Sequence, residues 1–261
     1  MKSNPIKSTL DHYYEAFNRI DFIQDDPITL PHLFSRKEDI EITGFLVAIL
    51  SWGQRKTIIN NGKKLLEIFD QQPYQFITGH NDNDLKKCLG FVHRTFNDTD
   101  LLSLITYLKI LYVDEDGLEK AFSKHLKKND LSVEPALNGF RRDYEKSSSY
   151  VKRTGKHIAW PGAGSACKRL NMYLRWMVRK DHQGVDFGIW NSIRPSQLVC
   201  PLDVHVIRQA VELGLLKNPK SDWKTAMELT NQLRIFDIKD PVKYDFALFG
   251  MGVNPDRKMK G

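Results

Sequence analysis

Apolar side chains recur along this chain with a period near 3.6 and almost never alternate in twos, so the pattern predicts helices throughout. Residues 42–52 are apolar almost all round and read as a buried central helix. The stretch "TIINNGKKLLEIF" that follows is amphipathic, and "DTDLLSLITYLKILY", "GLEKAFSKHL" and "VEPALNGFRRDYEK" predict three more helices. Ser8 is placed to cap a first helix through Phe17, and a proline-marked turn, "DDPITLPHLF", comes after it. Ser221 is placed to cap "DWKTAMELTNQL". Near the end Asp240 precedes Pro241, an N-cap followed by proline at the first helical position, and "YDFALFGMG" closes on glycines. No run of β-branched alternation is bounded by hairpin turns. The expectation is an all-α protein of about a dozen helices.

Composition narrows the class. With 261 residues the chain is long enough for one large core or two lobes. Its first residues, "MKSNPIKSTLDHYY", contain no apolar segment of the kind a signal peptide needs, and "FLVAIL" is far too short to span a bilayer. A cytoplasmic protein without a membrane partner is the expectation. Cys88, Cys167 and Cys200 are widely spaced and match neither a disulfide framework nor a metal site, so neither metal nor cofactor is expected. Charge is unevenly placed. Residues 151–180 hold eight cations and no acid, so this window carries +8 of a net +7 and the rest of the chain sums to about −1. Such a concentration suggests a footprint for a polyanion. Five cations meeting phosphates would give a log–log salt slope of about −4 to −5 on duplex DNA.

Two predicted helices carry the candidate chemistry. In "SACKRLNMYLRWMVRK" Ser165 is a plausible N-cap. Ala166, Leu170, Tyr173, Leu174 and Met177 fall on one side of that helix. Lys168, Met172, Arg175 and Arg179 fall on the other, within about 40° of one another, so Lys168 heads a basic stripe. In "PLDVHVIRQAVELGLL" Asp203 occupies an N-cap position after Pro201, and capping alone would explain it. Val204, Ile207, Ala210 and Val211 form the expected apolar face, opposite His205, Arg208, Gln209 and Glu212, and Gly214 marks a bend or end.

At these helices the chain resembles the helix-hairpin-helix DNA glycosylases, the endonuclease III and 8-oxoguanine glycosylase superfamily. The run "LDVHVIRQAVELGLL" is similar to that superfamily's V-D-x-H-V-x-R loop and helix, with Asp203, His205, Arg208 and Gly214 in register. "CKRLNMYLRWM" resembles the lysine-bearing helix of the archaeal-type 8-oxoguanine enzymes, in which lysine likewise precedes arginine by seven residues. Lys168 and Asp203 are 35 residues apart, a separation typical of the superfamily. Upstream, "VAILSWGQRKTIINNGKKLLEIF" resembles the segment whose glutamine fills the gap left by an extruded base; Gln54 is the matching residue, with one residue inserted after Ser51. The hairpin departs from the usual pattern, since "WPGAGSACK" puts Lys168 four residues after Gly164 instead of two. The strings "KRLNMYLRWMVR", "VDFGIW", "PLDVHV" and "KYDFALFG" more specifically resemble an uncharacterised bacterial protein family over nearly the whole chain.

The resemblance implies a two-lobe helix-hairpin-helix fold with a cleft between lobes, one formed by residues 1–38 and 198–261 and the other by residues 39–197. It implies a glycosylase and abasic-site lyase acting on a damaged base, an oxidised purine by analogy, in double-stranded DNA. Lys168 would be the nucleophile and Asp203 its activating partner. A lysine amine attacking C1′ forms a Schiff base, and a nearby carboxylate stabilises the positive charge that builds on the sugar as the base departs. Gln54, Arg55, Lys56, Gly162 and Gly164 would contact nucleic acid. So would Arg169, Arg175, Arg179, His205 and Arg208. Extrusion of the base requires stacking surfaces, and Trp52, Trp160 and Trp176 lie near these elements in sequence, although core packing is the commoner use of tryptophan. The alternative is a nucleic-acid-binding protein that keeps the fold without the chemistry. The paired Lys168 and Asp203 distinguish the two readings, because a pure binder has no need of both groups at one point.

Overall fold

The computed structural model describes residues 4–253, and the protein is mostly helical, as the periodicity predicts. Among the described residues twelve α-helices are joined by short 3-10 turns and one two-stranded hairpin. No helix there is long and apolar enough to cross a membrane. The chain forms two compact units. One comprises Met1–Phe22, Leu131–Val133 and Trp160–Gly261; the other comprises Ile23–Asp130 and Glu134–Ala159. This division differs from the one expected at residues 38 and 198: residues 131–133 and 160–197 join the terminal segments, and residues 23–38 join the central one.

The second unit is built on α2 (Lys37–Leu50), in which every residue from Ile40 to Leu50 is buried. Around it are α3 (Arg55–Ile68), α4 (Pro73–Gly79), α5 (Asp82–Lys86), α6 (Asp98–Val113), α7 (Gly117–Ser123) and α8 (Glu134–Lys146). Capping boxes start α5 at Asn81 and Asp84 and α6 at Asn97 and Asp100, satisfying first-turn amides that have no helical partner. The hairpin pairs β1 (Val92–His93) with β2 (Phe96–Asn97), too short to leave an alternating pattern in the sequence.

The other unit contains α1 (Pro5–Phe17), α9 (Lys168–Val178), α10 (Val204–Glu212), α11 (Trp223–Arg234) and α12 (Asp245–Val253). Asn4, with Pro5 at the first helical position, caps α1 in place of Ser8, and Asp222 caps α11 in place of Ser221. Pro241–Tyr244 form a 3-10 turn before α12, and the side chain of Asp240 makes no cap hydrogen bond there; its Oδ2 accepts from Arg179 instead. The closing glycines do not end a helix. They lie inside α12, where a Cβ at Gly250 would fall 2.0 Å from the ring of Phe17. Glycine there lets α12 and α1 approach closely.

The expected basic stripe is inside the protein. Every residue of α9 from Leu170 to Val178 is buried, and so is Arg179, which ends it. Arg179 is 1% exposed and Arg175 9%. Arg179 Nη1 lies 2.6 Å from Asp181 Oδ2 and 3.1 Å from Asp186 Oδ2, and its Nε donates to Asp240 Oδ2 at 2.9 Å. Its Nη2 donates to the Tyr14 hydroxyl at 2.6 Å. Arg175 Nε lies 3.3 Å from Asp186 Oδ1, and its Nη1 donates to Asp245. Two guanidiniums therefore hold four carboxylates from two stretches of the sequence, Asp181 and Asp186 in one and Asp240 and Asp245 in the other. These contacts join α9 to α1 and α12, which explains why residues 160–197 belong with the terminal segments. They also take Arg175 and Arg179 out of the expected set of phosphate contacts, and the salt-slope expectation loses two of its cations.

Arg179→Ala leaves Asp240 without its ion-pair partner and Asp186 with Arg175 alone, and should cost about 3–5 kcal/mol in chemical denaturation. Lys180→Ala, at the exposed neighbouring position, should stay within about 0.5 kcal/mol of the parent. A small effect of Arg179→Ala would show that the network contributes little to holding α9.

Candidate catalytic site

Lys168 is the first residue of α9, and its position is set by the turn before it. Pro161–Ala163 make one 3-10 turn, and Gly164 follows in the left-handed region at φ 75°. Gly162 lies under the ring of Trp160, 2.5 Å from where a Cβ would sit, so any other residue would displace the indole. Gly164 accepts a hydrogen bond from Trp223 N at 3.1 Å, and Ser165 bridges to Asp222, which pins the turn to the start of α11. Ser165 is not the cap. Its hydroxyl accepts from Cys167 N at 3.1 Å, and Cys167, at φ 50°, occupies the cap position without a side-chain cap bond. The step from Gly164 to Lys168 is thus filled by this second turn.

Lys168 is half-buried and its Nζ lies 3.6 Å from Met172 Sδ. Among the described residues it forms no ion pair. Its neighbour Arg169 is half-buried, and burial lowers its pKa. Asp203 caps α10, with Oδ1 accepting from His205 N at 2.9 Å and from Val206 N at 3.0 Å. Both cap bonds use one oxygen. Oδ2 accepts no hydrogen bond among the described residues.

The face that α10 buries is only partly the one expected. Val206, Gln209 and Ala210 are buried, while Val204 is 74% exposed and Val211 45%. The helix is turned toward α12 by two side chains read from sequence as DNA contacts: His205 Nδ1 lies 3.2 Å from the Gly252 carbonyl, and Arg208 Nη2 donates to the same oxygen. Cationic donors suit the end of a helix, where carbonyls lack partners. His205 is therefore committed within its unit, whereas Arg208 keeps an exposed position. Gly214, at φ 70°, ends α10 with Leu215 N donating to Ala210 O at 2.8 Å and Gly214 N to Val211 O at 3.0 Å. That pair of bonds is a Schellman motif.

Lys168 and Asp203 share a unit and act electrostatically on one buried carboxylate, Asp245. Sequence reasoning missed Asp245, since nothing in "KYDFALFG" marks its aspartate as different from a helix-start residue. Gln54, Arg55 and Lys56 belong to the other unit, exposed at the start of α3, with Gln54 at its cap position. Beside them Arg94 stacks 4.4 Å above the half-buried Trp52 ring, while Trp176 is a core residue. No group of three or more His, Cys, Asp or Glu side chains among the described residues is placed to hold a metal ion.

Burial lifts the Asp245 carboxyl from its ordinary 3.8 to about 6, against the pull of Arg175; Asp203 adds to the rise and Lys168 opposes it. The folded value is the higher one, so the folded chain keeps a proton there that the unfolded chain has released. The resulting stability is fully present below about pH 4 and lost as pH rises through about 6. Relative to Asp245→Asn, the parent should lose up to about 3 kcal/mol between these limits, at about 1.4 kcal/mol per tenfold change in proton activity. Urea denaturation of both proteins across this range checks it, and a difference that stays flat or grows with pH contradicts it.

No curated protein and no solved structure matches the chain. A family model does match, over residues 26–254, nearly the whole described chain. The chain belongs to the family described as "Protein of unknown function (DUF2400)".

Proposed function

We propose that this protein is a DNA glycosylase with abasic-site lyase activity, of the helix-hairpin-helix kind, acting on a damaged base in duplex DNA. The oxidised purines are the first class to test, from the resemblance of the Lys168 helix to archaeal-type 8-oxoguanine enzymes. One observation carries the reading: a half-buried lysine amine without an ion pair and a carboxylate with one oxygen that accepts no hydrogen bond among the described residues belong to the same compact unit.

The chemistry follows from these groups. The neutral Lys168 amine attacks C1′ of the damaged nucleotide while the bond to the base breaks and the base leaves with its electron pair. The Asp203 carboxylate opposes the positive charge on the sugar as that bond lengthens. Loss of the amine proton and opening of the sugar ring give an iminium linkage, from which β-elimination breaks the strand on the 3′ side. Water returns the lysine. Gly162 and Gly164, exposed in the turn ahead of α9, and Arg169, Arg208, Gln54, Arg55 and Lys56 remain candidates for contacts with DNA.

Borohydride trapping on duplexes carrying single lesions tests this. The parent should give a covalent adduct with at least one lesion or with an abasic site. Lys168→Gln should abolish the adduct while leaving duplex affinity nearly intact. Asp203→Asn should keep the cap, since Asn caps about as well as Asp, yet reduce turnover by orders of magnitude. Asp203→Ala should also lose about 1 kcal/mol of stability. Full activity in the Asn variant would reduce Asp203 to a cap. Duplex binding with no adduct on any lesion would favour the binding protein.

A further inference from the structure

The β1–β2 hairpin of the second unit turns through an arginine where the backbone favours glycine. Arg94 and Thr95 form its two-residue turn, and Arg94 takes φ 58°, a left-handed conformation that glycine or asparagine ordinarily supplies there. The far end of this side chain is seated. Its guanidinium lies 4.4 Å above the ring of Trp52, and a Cβ at Gly53 would fall 2.8 Å from Nη1. Glycine at that position, with φ 107°, leaves the space that the arginine occupies. The turn is braced from below. His93, 1% exposed, places Nδ1 2.8 Å from Asn61 Nδ2 on α3 and Nε2 3.3 Å from the Trp52 carbonyl oxygen. Arg153 Nη2 donates to the Thr95 carbonyl at 3.2 Å, and its Nη1 lies 3.2 Å from the buried Asp100 carboxylate. Arg94 itself is exposed, and no acid pairs with it among the described residues.

The segment that Arg94 lies against adds charge of the same sign. Residues 51–66 hold Arg55, Lys56, Lys63 and Lys64 and no acid. Arg55 and Lys56 are exposed in the first turn of α3, where the helix dipole disfavours cations. An arginine in a glycine position and cations at a helix start both work against the stability of the chain, and such local conflicts gather where a surface is built to bind. We infer that Arg94, held against Trp52, is a backbone-phosphate contact for duplex DNA, with Arg55 and Lys56 adding to the same footprint. The choice of DNA rests on the function proposed above. A guanidinium seated on a ring keeps its N–H donors for other partners, and two of them can meet one phosphate side by side. Because the side chain is already ordered, less freedom is lost on binding. Exposed cations spread over two elements suit a polyanion, whose released counterions drive binding, better than a single small anion. The second unit then holds the strand through residues of its own, apart from Lys168 and Asp203 in the other unit.

Fluorescence anisotropy of the full chain with short lesion-free DNA duplexes, repeated over a range of salt, tests the contact. Arg94→Gln should weaken binding about tenfold for unrelated sequences alike and flatten the log–log salt slope by about one. Arg94→Lys should keep the slope, since a cation remains, and lose part of the affinity with the paired donors. Arg94→Gly relieves the turn, so its urea midpoint should equal or exceed the parent's while its duplex affinity falls. A parent that binds no duplex, or a folded Arg94→Gln with unchanged affinity and slope, overturns the inference. So does a loss confined to one sequence, which would make Arg94 a reader of bases. A destabilised Arg94→Gly that binds as the parent does would reduce the Trp52 stack to a structural contact. Trapping on an abasic-site duplex separates this inference from the glycosylase reading. An adduct formed while Arg94→Gln binds normally leaves that reading and removes the contact. No adduct on any lesion, with affinity and slope still lost in Arg94→Gln, leaves the contact and removes that reading.

Discussion

The unit that carries Lys168 and Asp203 depends on two arginines held away from water. A guanidinium in a protein interior loses its hydration and is tolerated only where carboxylates replace it with good geometry. Arg179 meets this condition with Asp181, Asp186 and Asp240, and Arg175 meets it with Asp186 and Asp245. Partners drawn from Tyr14 on α1 through to Asp245 on α12 make α9 the element to which the others are fastened. An apolar α9 of the same shape could be as stable. What the ion pairs add is directional: each guanidinium accepts only a few arrangements of carboxylates, so the register of α9 against α12 follows from where the aspartates stand. The placement of Lys168 follows from that register.

Two demands meet at Asp203 without conflict. The cap of α10 uses Oδ1 for two amide hydrogens, and the second oxygen takes no further bond among the described residues. Lys168 shows a similar economy. It stands at the start of its helix, free of the ion pairs that occupy Arg175 and Arg179 on the same face, because the acids that serve those arginines lie beside the last turns of α9 and at the start of α12.

Most of the helices were legible from periodicity, because a buried helix such as α2 leaves an apolar run that no other element explains. Caps were less legible. Asn4 and Asp222 displace Ser8 and Ser221 by one to four residues, and nearby residues of similar chemistry compete for that role. The pair Lys168 and Asp203 could be named from motif, and the structure places both in one unit. The basic stripe was misread for a definite reason. A window without acids was taken as a surface, but its counter-charges begin at Asp181, one residue beyond it, and continue at Asp240 and Asp245, which only tertiary structure brings close. Charge counted along a sequence says nothing about partners that arrive from elsewhere. The exposed Val204 and buried Gln209 of α10 have a related origin, since bonding of His205 and Arg208 to α12 turns a face that hydropathy alone would leave outward.

The tight apposition of Phe17 and Gly250 has a bearing on how the chain comes into being. Helices α1 and α12 belong to one unit yet are far apart in the order of synthesis, with the whole second unit emerging between them. Residues 23–159 can collapse around α2 while the ribosome is still at work, whereas α1 must wait, its apolar side without a mate, until α12 leaves the exit tunnel. During that interval Leu10, Tyr13 and Phe17, all buried at the end, are open to water and to whatever chaperone attends nascent chains.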